Sequence, residues 1–270
     1  MISSKQVMND NCVTYRKYRN HLRLGGYYLK IDGKIQDLKA WLRKPYNGSK
    51  SFCGFSEVSE EQLFYLMKEA LSEKKQILFD VSGDMAIKQV LNVFEEVSKK
   101  ENITEFYRPI FYNVGLLDRN DFSLLSKYDV SLVYELLNKF EIKKVKRSIG
   151  LFRRKRFEKF KSLIKERIRF VVYSKDNIGV ENLKNLAKYA KCKFNLKMLK
   201  NKKFVANFTK LLGKILYLNF AYFCFDQDKK GVLETDKQAN FIILKQSIVN
   251  QIQDNSDIVI STYIEGEKKY

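Results

Sequence analysis

The sequence is poor in the residues that build the commonest catalytic and metal sites. Its 270 residues include one histidine, four cysteines, two prolines and twelve glycines. Ser-His-Asp and Cys-His systems need a histidine beside the nucleophile, and most hydrolytic zinc sites take two or three imidazoles. The single histidine, His21, therefore leaves few of these sites open to the chain by itself, and we assign it an ordinary packing or surface role.

The four cysteines lie far apart and form no Cys-x-x-Cys pair, which excludes a zinc ribbon and a dithiol redox motif. Unpaired cysteines are typical of a reducing compartment. Residues 1–20 contain no apolar core of the secretory-signal type. The most apolar stretch, Leu211–Phe225, includes Lys214 and is too short and too charged to span a bilayer. We therefore predict a cytoplasmic protein without a transmembrane segment, and a buried helix over 211–225.

Positive charge is abundant. Lys and Arg number 51 against 31 Asp and Glu, a formal net charge of +20. Many of these cations lie between Lys139 and Arg169, interleaved with phenylalanines. The phenylalanines either stack on nucleic-acid bases beside phosphate-binding cations, or form the buried face of an amphipathic helix whose charges are solvated. The nucleic-acid candidates are four consecutive cations: Arg153, Arg154, Lys155 and Arg156. We expect weak, non-specific binding to polyanions.

Hydrophobic periodicity predicts helices that alternate with strands. The predicted helices are 60–73, 85–99, 119–126 and 157–165, with Ser59 as the N-cap of the first. The predicted strands are 76–81, 106–114, 130–136 and 169–173. Strands that alternate with helices indicate parallel β/α construction. From residue 228 onward, short strands joined by Gly and Asp turns predict a small β segment instead.

Three stretches carry motifs in a particular order. They are LRLGGYYLKIDGKIQDLKAWLRKPY (22–46), ILFDVSGDMAIKQVLNVFEEV (77–97), and NFAYFCFDQDKKGVLETDKQANFIIL (219–244) with STYIEGEKKY (261–270). In this order they resemble the second half of the amidohydrolase superfamily, in the branch that includes N-substituted formamide deformylases. The first stretch resembles that branch's lysine strand, the second a strand carrying a metal-ligand histidine, and the third its closing helix and last strands.

The resemblance implies an α/β fold: an incomplete TIM-barrel-like (β/α) region with C-terminal β-sandwich strands. One copy of such a chain does not close a barrel. We predict an N-terminal lead-in at 1–20, a partial barrel at 21–227 and a β-sandwich segment at 228–270.

The resemblance also assigns positions to the ligands of active relatives, which hold zinc or another divalent metal. Lys30 matches the lysine that becomes carboxylated and bridges the metals. Asp80 and Asn113 stand where the family has histidines. Lys175 takes the place of the catalytic aspartate, and Asp176 beside it replaces it if the alignment shifts by one residue.

These replacements predict a degenerate relative of enzymes that hydrolyse amide-type, non-peptide C–N bonds. A cationic Lys175 repels a metal ion, and the amide of Asn113 is a poor ligand for a hydrated divalent cation. We therefore expect no cofactor and no hydrolytic activity from the chain alone. Two alternatives stay open. The chain is the C-terminal half of a split hydrolase, completed by a complementary N-terminal half or by self-association, or it is a basic nucleic-acid-binding protein.

Overall fold

The computed structural model describes residues 23–101, 107–154, 156–157, 160–173, 202–245 and 259–270. The strands are β1 (Tyr27–Lys30), β2 (Ile77–Asp80), β3 (Ile110–Tyr112), β4 (Ser131–Glu135), β5 (Phe170–Tyr173), β6 (Phe241–Leu244), β7 (Val259–Ile264) and β8 (Glu267–Lys268). The helices are α1 (Glu60–Ser72), α2 (Asp84–Lys100), α3 (Phe122–Lys127), α4 (Lys139–Arg154), α5 (Phe160–Lys165), α6 (Lys202–Gly213) and α7 (Asn219–Phe223). Helices lie between the first five strands, so the predicted alternation of strands and helices is confirmed.

Local sequence signals determine where α1 begins. The Ser59 hydroxyl accepts a hydrogen bond from the Gln62 backbone N–H at 3.1 Å, and the Gln62 side chain accepts one from the Ser59 N–H at 3.1 Å. This reciprocal capping box satisfies two backbone donors that a helix start otherwise leaves open. The buried stripe of Leu63, Met67 and Ala70 follows at helical spacing, and α1 packs against α2.

The five-stranded sheet has the order β1-β2-β3-β4-β5. The pairings of β1 with β2, β2 with β3 and β3 with β4 are parallel, and the register sets Lys30 opposite Asp80. Because side chains alternate along a strand, Tyr28, Lys30 and Asp80 share one face of the sheet. Phe79 and Phe111 lie on the other face, where their rings meet edge to face with centroids 5.7 Å apart.

The loop between β2 and α2 lies against the chain that follows β1. Gly83 is the N-cap residue of α2, and a Cβ there would stand 1.9 Å from the carbonyl oxygen of Trp41. Any side chain at this position would force the two segments apart, so the close approach requires glycine. The carboxyl ends of β1 and β2 are thereby held together.

The chain divides into two compact units. The first comprises Met1–Val133 and Asn138–Ile168, and the second comprises Tyr134–Leu137 and Arg169–Tyr270. The boundaries predicted at residues 20 and 227 stay predictions. Within the second unit, β6 and β7 are antiparallel, as are β7 and β8.

The predicted buried helix over 211–225 is only partly right. Helix α6 continues through a π-helical turn at Lys214–Leu218 into α7. Leu212 and Ile215 are buried, but Tyr217 and Phe220 are exposed. One face of this segment therefore lies in the core and the other meets solvent. No helix within the described residues is long and apolar enough to cross a bilayer.

Candidate functional site

The site predicted from the resemblance lies at the carboxyl edge of the parallel strands, in the first unit. Lys30 ends β1, Asp80 ends β2, and Asn113 follows β3 directly. Because parallel strands place their carboxyl ends on the same edge of a sheet, these residues meet although they are far apart in sequence. Lys175 and Asp176 lie outside the described residues.

Asp80 is the centre of a hydrogen-bonded group. Its Oδ2 accepts a hydrogen bond from the Tyr28 hydroxyl at 2.5 Å, and its Oδ1 accepts one from Asn113 Nδ2 at 2.8 Å. Asn113 has a φ of 60°, in the left-handed region that asparagine tolerates better than most residues. Partial burial and the hydrogen bond to Asp80 raise the pKa of the Tyr28 phenol above its usual value. Tyr28 therefore stays a neutral donor to this carboxylate.

Lys30 has a carboxylate partner of its own. Its ammonium donates to Glu57 Oε1, and the two side chains are 45% and 39% exposed. An ion pair this exposed contributes at most about 1 kcal/mol to stability, because water screens both charges. A protonated lysine held by a carboxylate has no lone pair with which to bind CO2 or a metal, so this arrangement differs from a carboxylated, bridging lysine.

Asp32 organises the loops behind this edge. The residue is 1% exposed. Its Oδ1 accepts the Ser82 N–H at 2.7 Å, and its Oδ2 accepts the Gly83 N–H at 2.9 Å and the Trp41 N–H at 2.8 Å. Burial outweighs these three donors and raises the pKa of Asp32 to about 7. Asp32 thus holds the β2–α2 loop in place.

A second charged group joins the loops that follow β1, β2 and β3. Arg156 Nη2 lies 3.3 Å from Asp84 Oδ2 and 3.2 Å from Asp118 Oδ2, and Arg43 Nη1 lies 3.5 Å from Asp118 Oδ2. Partial burial acts to raise the pKa of Asp118, but the Asn120 backbone N–H and the Arg156 guanidinium outweigh it and hold that pKa below its usual value. The group is built of matched charges, so its role is to fasten the loops.

The basic segment is placed differently from the solvated helix face that the sequence suggested. Arg153 donates to the carbonyl oxygens of Lys44 at 2.8 Å and Pro45 at 2.6 Å, and the Arg154 guanidinium lies over the Phe157 ring at 5.2 Å. With Arg156 bound to two aspartates, Arg153 and Arg156 are engaged inside the unit, and for them the solvated-face interpretation is wrong. Lys155 lies outside the described residues. A nucleic-acid role for these four cations stays a prediction.

The phenylalanines of this segment differ in burial. Phe157 and Phe160 are buried, whereas Phe140 and Phe152 are among the exposed large apolar side chains. The expected buried face of phenylalanines is therefore wrong for Phe140 and Phe152.

The side chains at the carboxyl edge do not fit a divalent metal. Both oxygens of Asp80 face hydrogen-bond donors, and a metal ion would have to displace Tyr28 and the amide N–H of Asn113. In the ranges that the structure describes, no three His, Cys, Asp or Glu side chains come together as a metal-binding group. Zinc prefers imidazole and thiolate ligands, and neither lies among these residues.

Sequence reasoning missed four residues of this region: Tyr28, Asp32, Arg43 and Glu57. A signal existed for Tyr28, because it precedes Lys30 by two residues in β1 and therefore shares its face. Glu57 lies in a loop 27 residues after Lys30, and no local pattern indicates their pairing.

Comparison with known proteins places this geometry in context. No family model matches the sequence, and no curated protein matches it either. Two solved structures of uncharacterized metal-dependent hydrolases, from Pyrococcus furiosus and Pyrococcus horikoshii OT3, each align with a TM-score of 0.68 at 17% and 21% identity. Each alignment covers 87% of this chain and 47% of the other. Ochratoxinase from A. niger aligns with a TM-score of 0.58 at 13% identity, over 89% of this chain and 49% of the enzyme.

At these identities the likeness shows the fold. The chain shares the α/β fold of these structures, and it spans about half of their length. The partial TIM-barrel-like architecture predicted from the sequence is thus confirmed, with a parallel five-stranded sheet and a separate small antiparallel sheet.

Proposed function

We propose that this chain is a non-catalytic relative of the metal-dependent amidohydrolases, in which a hydrogen-bonded polar group has replaced the metal site. One observation carries the proposal: both oxygens of Asp80 accept hydrogen bonds from neutral donors, Tyr28 and Asn113, at the strand ends where a metal would need acceptors. The motifs around Lys30 support a closer relationship to the N-substituted formamide deformylase branch, whose reaction is hydrolysis of an amide-type C–N bond.

Hydrolysis by such enzymes depends on a metal-activated water. Among the described residues, Asp80 ends β2, Glu135 ends β4, and Glu57 lies in the loop that pairs with Lys30. Each of these carboxylates has an interaction partner, and they do not come together as a metal-binding group. No described residue there supplies an imidazole or a thiolate that could hold a metal ion. The proposal therefore assigns this edge a structural role and the chain by itself no hydrolytic turnover.

Metal content tests the proposal directly. Protein expressed in zinc-supplemented medium and desalted should contain well under one zinc ion per chain by elemental analysis, because Lys30 is the only ligand position of active relatives that is matched among the described residues. The matched control is the Asp80→Asn variant, which removes one carboxylate and should leave the zinc content unchanged. One or more zinc ions per wild-type chain, lost in Asp80→Asn, would contradict the proposal.

A second candidate is a split hydrolase completed by another chain, and one observation favours it. In the second unit, the face of β6 and β7 that carries Ile242, Ile260 and Ile264 exposes all three side chains. An apolar sheet face is normally covered by a second layer. A partner chain with a complementary sheet would cover it and would also supply the missing ligands. Zinc bound only after such a partner is added would support this candidate.

A further inference from the structure

The proposed function leaves the outward side of α4 unexplained. Exposed residues recur along this helix and its end, and we refer to them as the α4 surface: Lys139, Phe140, Lys143, Lys146, Arg147, Leu151 and Phe152. The spacing of three and four residues places the first five on one side of the helix. The opposite side carries Val145, Ser148 and Ile149, which are buried.

The cations of the α4 surface are not neutralised locally. In the described part of the chain, none of Lys139, Lys143, Lys146 and Arg147 forms an ion pair with a carboxylate. Helix α4 contains one carboxylate, Glu141, and its Oε2 accepts the Asn138 backbone N–H at 2.9 Å. Asn138 in turn caps the helix by accepting the Phe140 and Glu141 N–H groups at 3.0 Å. Because Glu141 is turned back to the helix start, the surface stays positive and complements an anionic partner.

The apolar part of the surface is formed by a break in the helix. Gly150 has φ 72° and ψ 169°, a conformation that is essentially restricted to glycine. The two residues beyond it, Leu151 and Phe152, are 70% and 87% exposed. Single exposed apolar side chains are common, but two large ones in sequence beside a cationic helix side form a patch of the kind that marks an interaction site.

The side chains favour a lipid bilayer over a nucleic acid. Single-stranded nucleic acids are bound through aromatic platforms and free arginines. Leu151 has no aromatic face, and the Phe140 ring is already covered by the Lys144 ammonium at 4.8 Å, so the α4 surface offers few stacking platforms for bases. Three of its four cations are lysines, and Arg147 is the only arginine among its members. A bilayer interface accepts aliphatic and aromatic side chains alike and places Lys and Arg among anionic headgroups.

We propose that the α4 surface docks the protein onto anionic phospholipid membranes. Leu151 and Phe152 enter the boundary between headgroups and acyl chains, while Lys143, Lys146 and Arg147 contact the lipid phosphates. The protein binds the membrane peripherally, and the proposal needs neither a metal nor hydrolysis.

The test uses the full chain and vesicle co-sedimentation. We expect binding to vesicles of phosphatidylcholine with about 30% phosphatidylglycerol, and weak or no binding to phosphatidylcholine alone, because the cations recognise anionic headgroups. Binding should weaken as NaCl rises, since salt screens exposed charges. The result is independent of the proposed function, because the zinc content of the same preparation is measured separately.

Two variants separate the parts of the surface. Leu151→Ser/Phe152→Ser should bind anionic vesicles at least about tenfold more weakly, because two apolar side chains no longer leave water. The control Tyr65→Ser/Leu66→Ser removes a pair that is 62% and 38% exposed on α1, and should bind like the wild type.

The charge variant Lys143→Gln/Lys146→Gln/Arg147→Gln should bind about 100-fold more weakly, at about fivefold for each cation. Its control, Lys39→Gln/Lys74→Gln/Lys99→Gln, loses the same net charge from exposed positions elsewhere and should bind nearly normally. Circular dichroism melts of all variants confirm that each is folded.

Three outcomes of the vesicle experiments would overturn the proposal. They are absence of binding to anionic vesicles, equal binding to neutral vesicles, and equal losses in the control variants. A fluorescent single-stranded oligouridine serves as the competing probe. If it binds more tightly than the vesicles and loses binding in Leu151→Ser/Phe152→Ser, the surface is a nucleic-acid site instead.

Discussion

At the scale of single residues, the fold depends on Asp32, whose hydrogen bonds described above all come from backbone N–H groups. Asp32 is buried, and its two oxygens accept three backbone N–H groups from segments that the chain brings together from Trp41 and from the β2–α2 loop. Unpaired backbone donors in the interior cost about 1–3 kcal/mol each. Asp32 is therefore the residue that stabilises the close approach permitted by Gly83.

Replacing Asp32 by asparagine should lower the free energy of unfolding by about 2 kcal/mol. In either orientation the amide places an NH2 group against at least one backbone N–H that the carboxylate now satisfies. Urea unfolding of Asp32→Asn measures the change. The control is Asp37→Asn, an exposed aspartate five residues further along, which should change stability by less than about 0.5 kcal/mol. Equal effects of the two variants would contradict this role.

The same residue makes stability depend on pH. Burial raises the pKa of Asp32 from its ordinary value of 3.8 to about 7 in the folded protein. Between these values the folded state binds more protons than the unfolded state, so the contribution of Asp32 to stability is complete below pH 4 and is lost as pH rises through 7. The stability difference between wild type and Asp32→Asn should therefore narrow as pH rises. A difference that widens with pH would show that the folded protein favours the carboxylate.

At the scale of elements, arginines join segments that the strands alone do not hold. Arg153 lies at the end of α4 and binds the Lys44 and Pro45 carbonyls of the β1–α1 connection. Arg156 links Asp84 at the start of α2 to Asp118 after β3. Asp84 is almost fully buried. Removal of its cationic partner therefore leaves a buried negative charge that water can solvate only poorly.

The Arg156→Gln variant should lose about 1–2 kcal/mol of unfolding free energy. This figure is modest because Arg156 is partly exposed and Asp84 keeps the Arg43 backbone N–H at 2.9 Å. Arg147→Gln, an exposed arginine of α4, removes the same charge and should shift stability by less than about 0.5 kcal/mol. Thermal or urea unfolding compares the two. If both variants lose equally little unfolding free energy, the Arg156 contacts do not stabilise the fold.

At the scale of the whole molecule, the chain exposes surfaces that complete domains usually cover. The isoleucines of β6 and β7 are exposed in the second unit, and Tyr28 is exposed on the sheet of the first. Apolar sheet surfaces of this kind recruit another chain or lead to aggregation.

We therefore predict that the purified protein self-associates. Size-exclusion chromatography with light scattering should give at least twice the mass of one chain, and Ile260→Thr/Ile264→Thr should shift the protein toward monomer. The control Leu233→Thr changes an exposed leucine in a loop of the same unit and should leave the mass unchanged. A monodisperse wild-type monomer would show that these surfaces need no second copy.

The sequence by itself determined the elements. The capping box at Ser59, the period of α1 and α2, and the apolar runs of β2 and β4 depend on neighbours within a few residues, and so they predict position and type well. The order of motifs also predicted the fold class and the positions Lys30, Asp80 and Asn113.

Only the tertiary structure decided what those residues touch. Tyr28 reaches Asp80 across 52 residues, Lys30 reaches Glu57 across 27, and Arg156 reaches Asp84 across 72. Such contacts depend on strand order and register, which no local pattern records. For the same reason the sequence predicted a single solvated helix face for the basic segment. In the structure, Arg153 and Arg156 form contacts within the unit, and Leu151 and Phe152 are exposed. Local periodicity predicts whether a segment is a helix or a strand. The contacts of each side chain depend instead on how segments distant in sequence pack together.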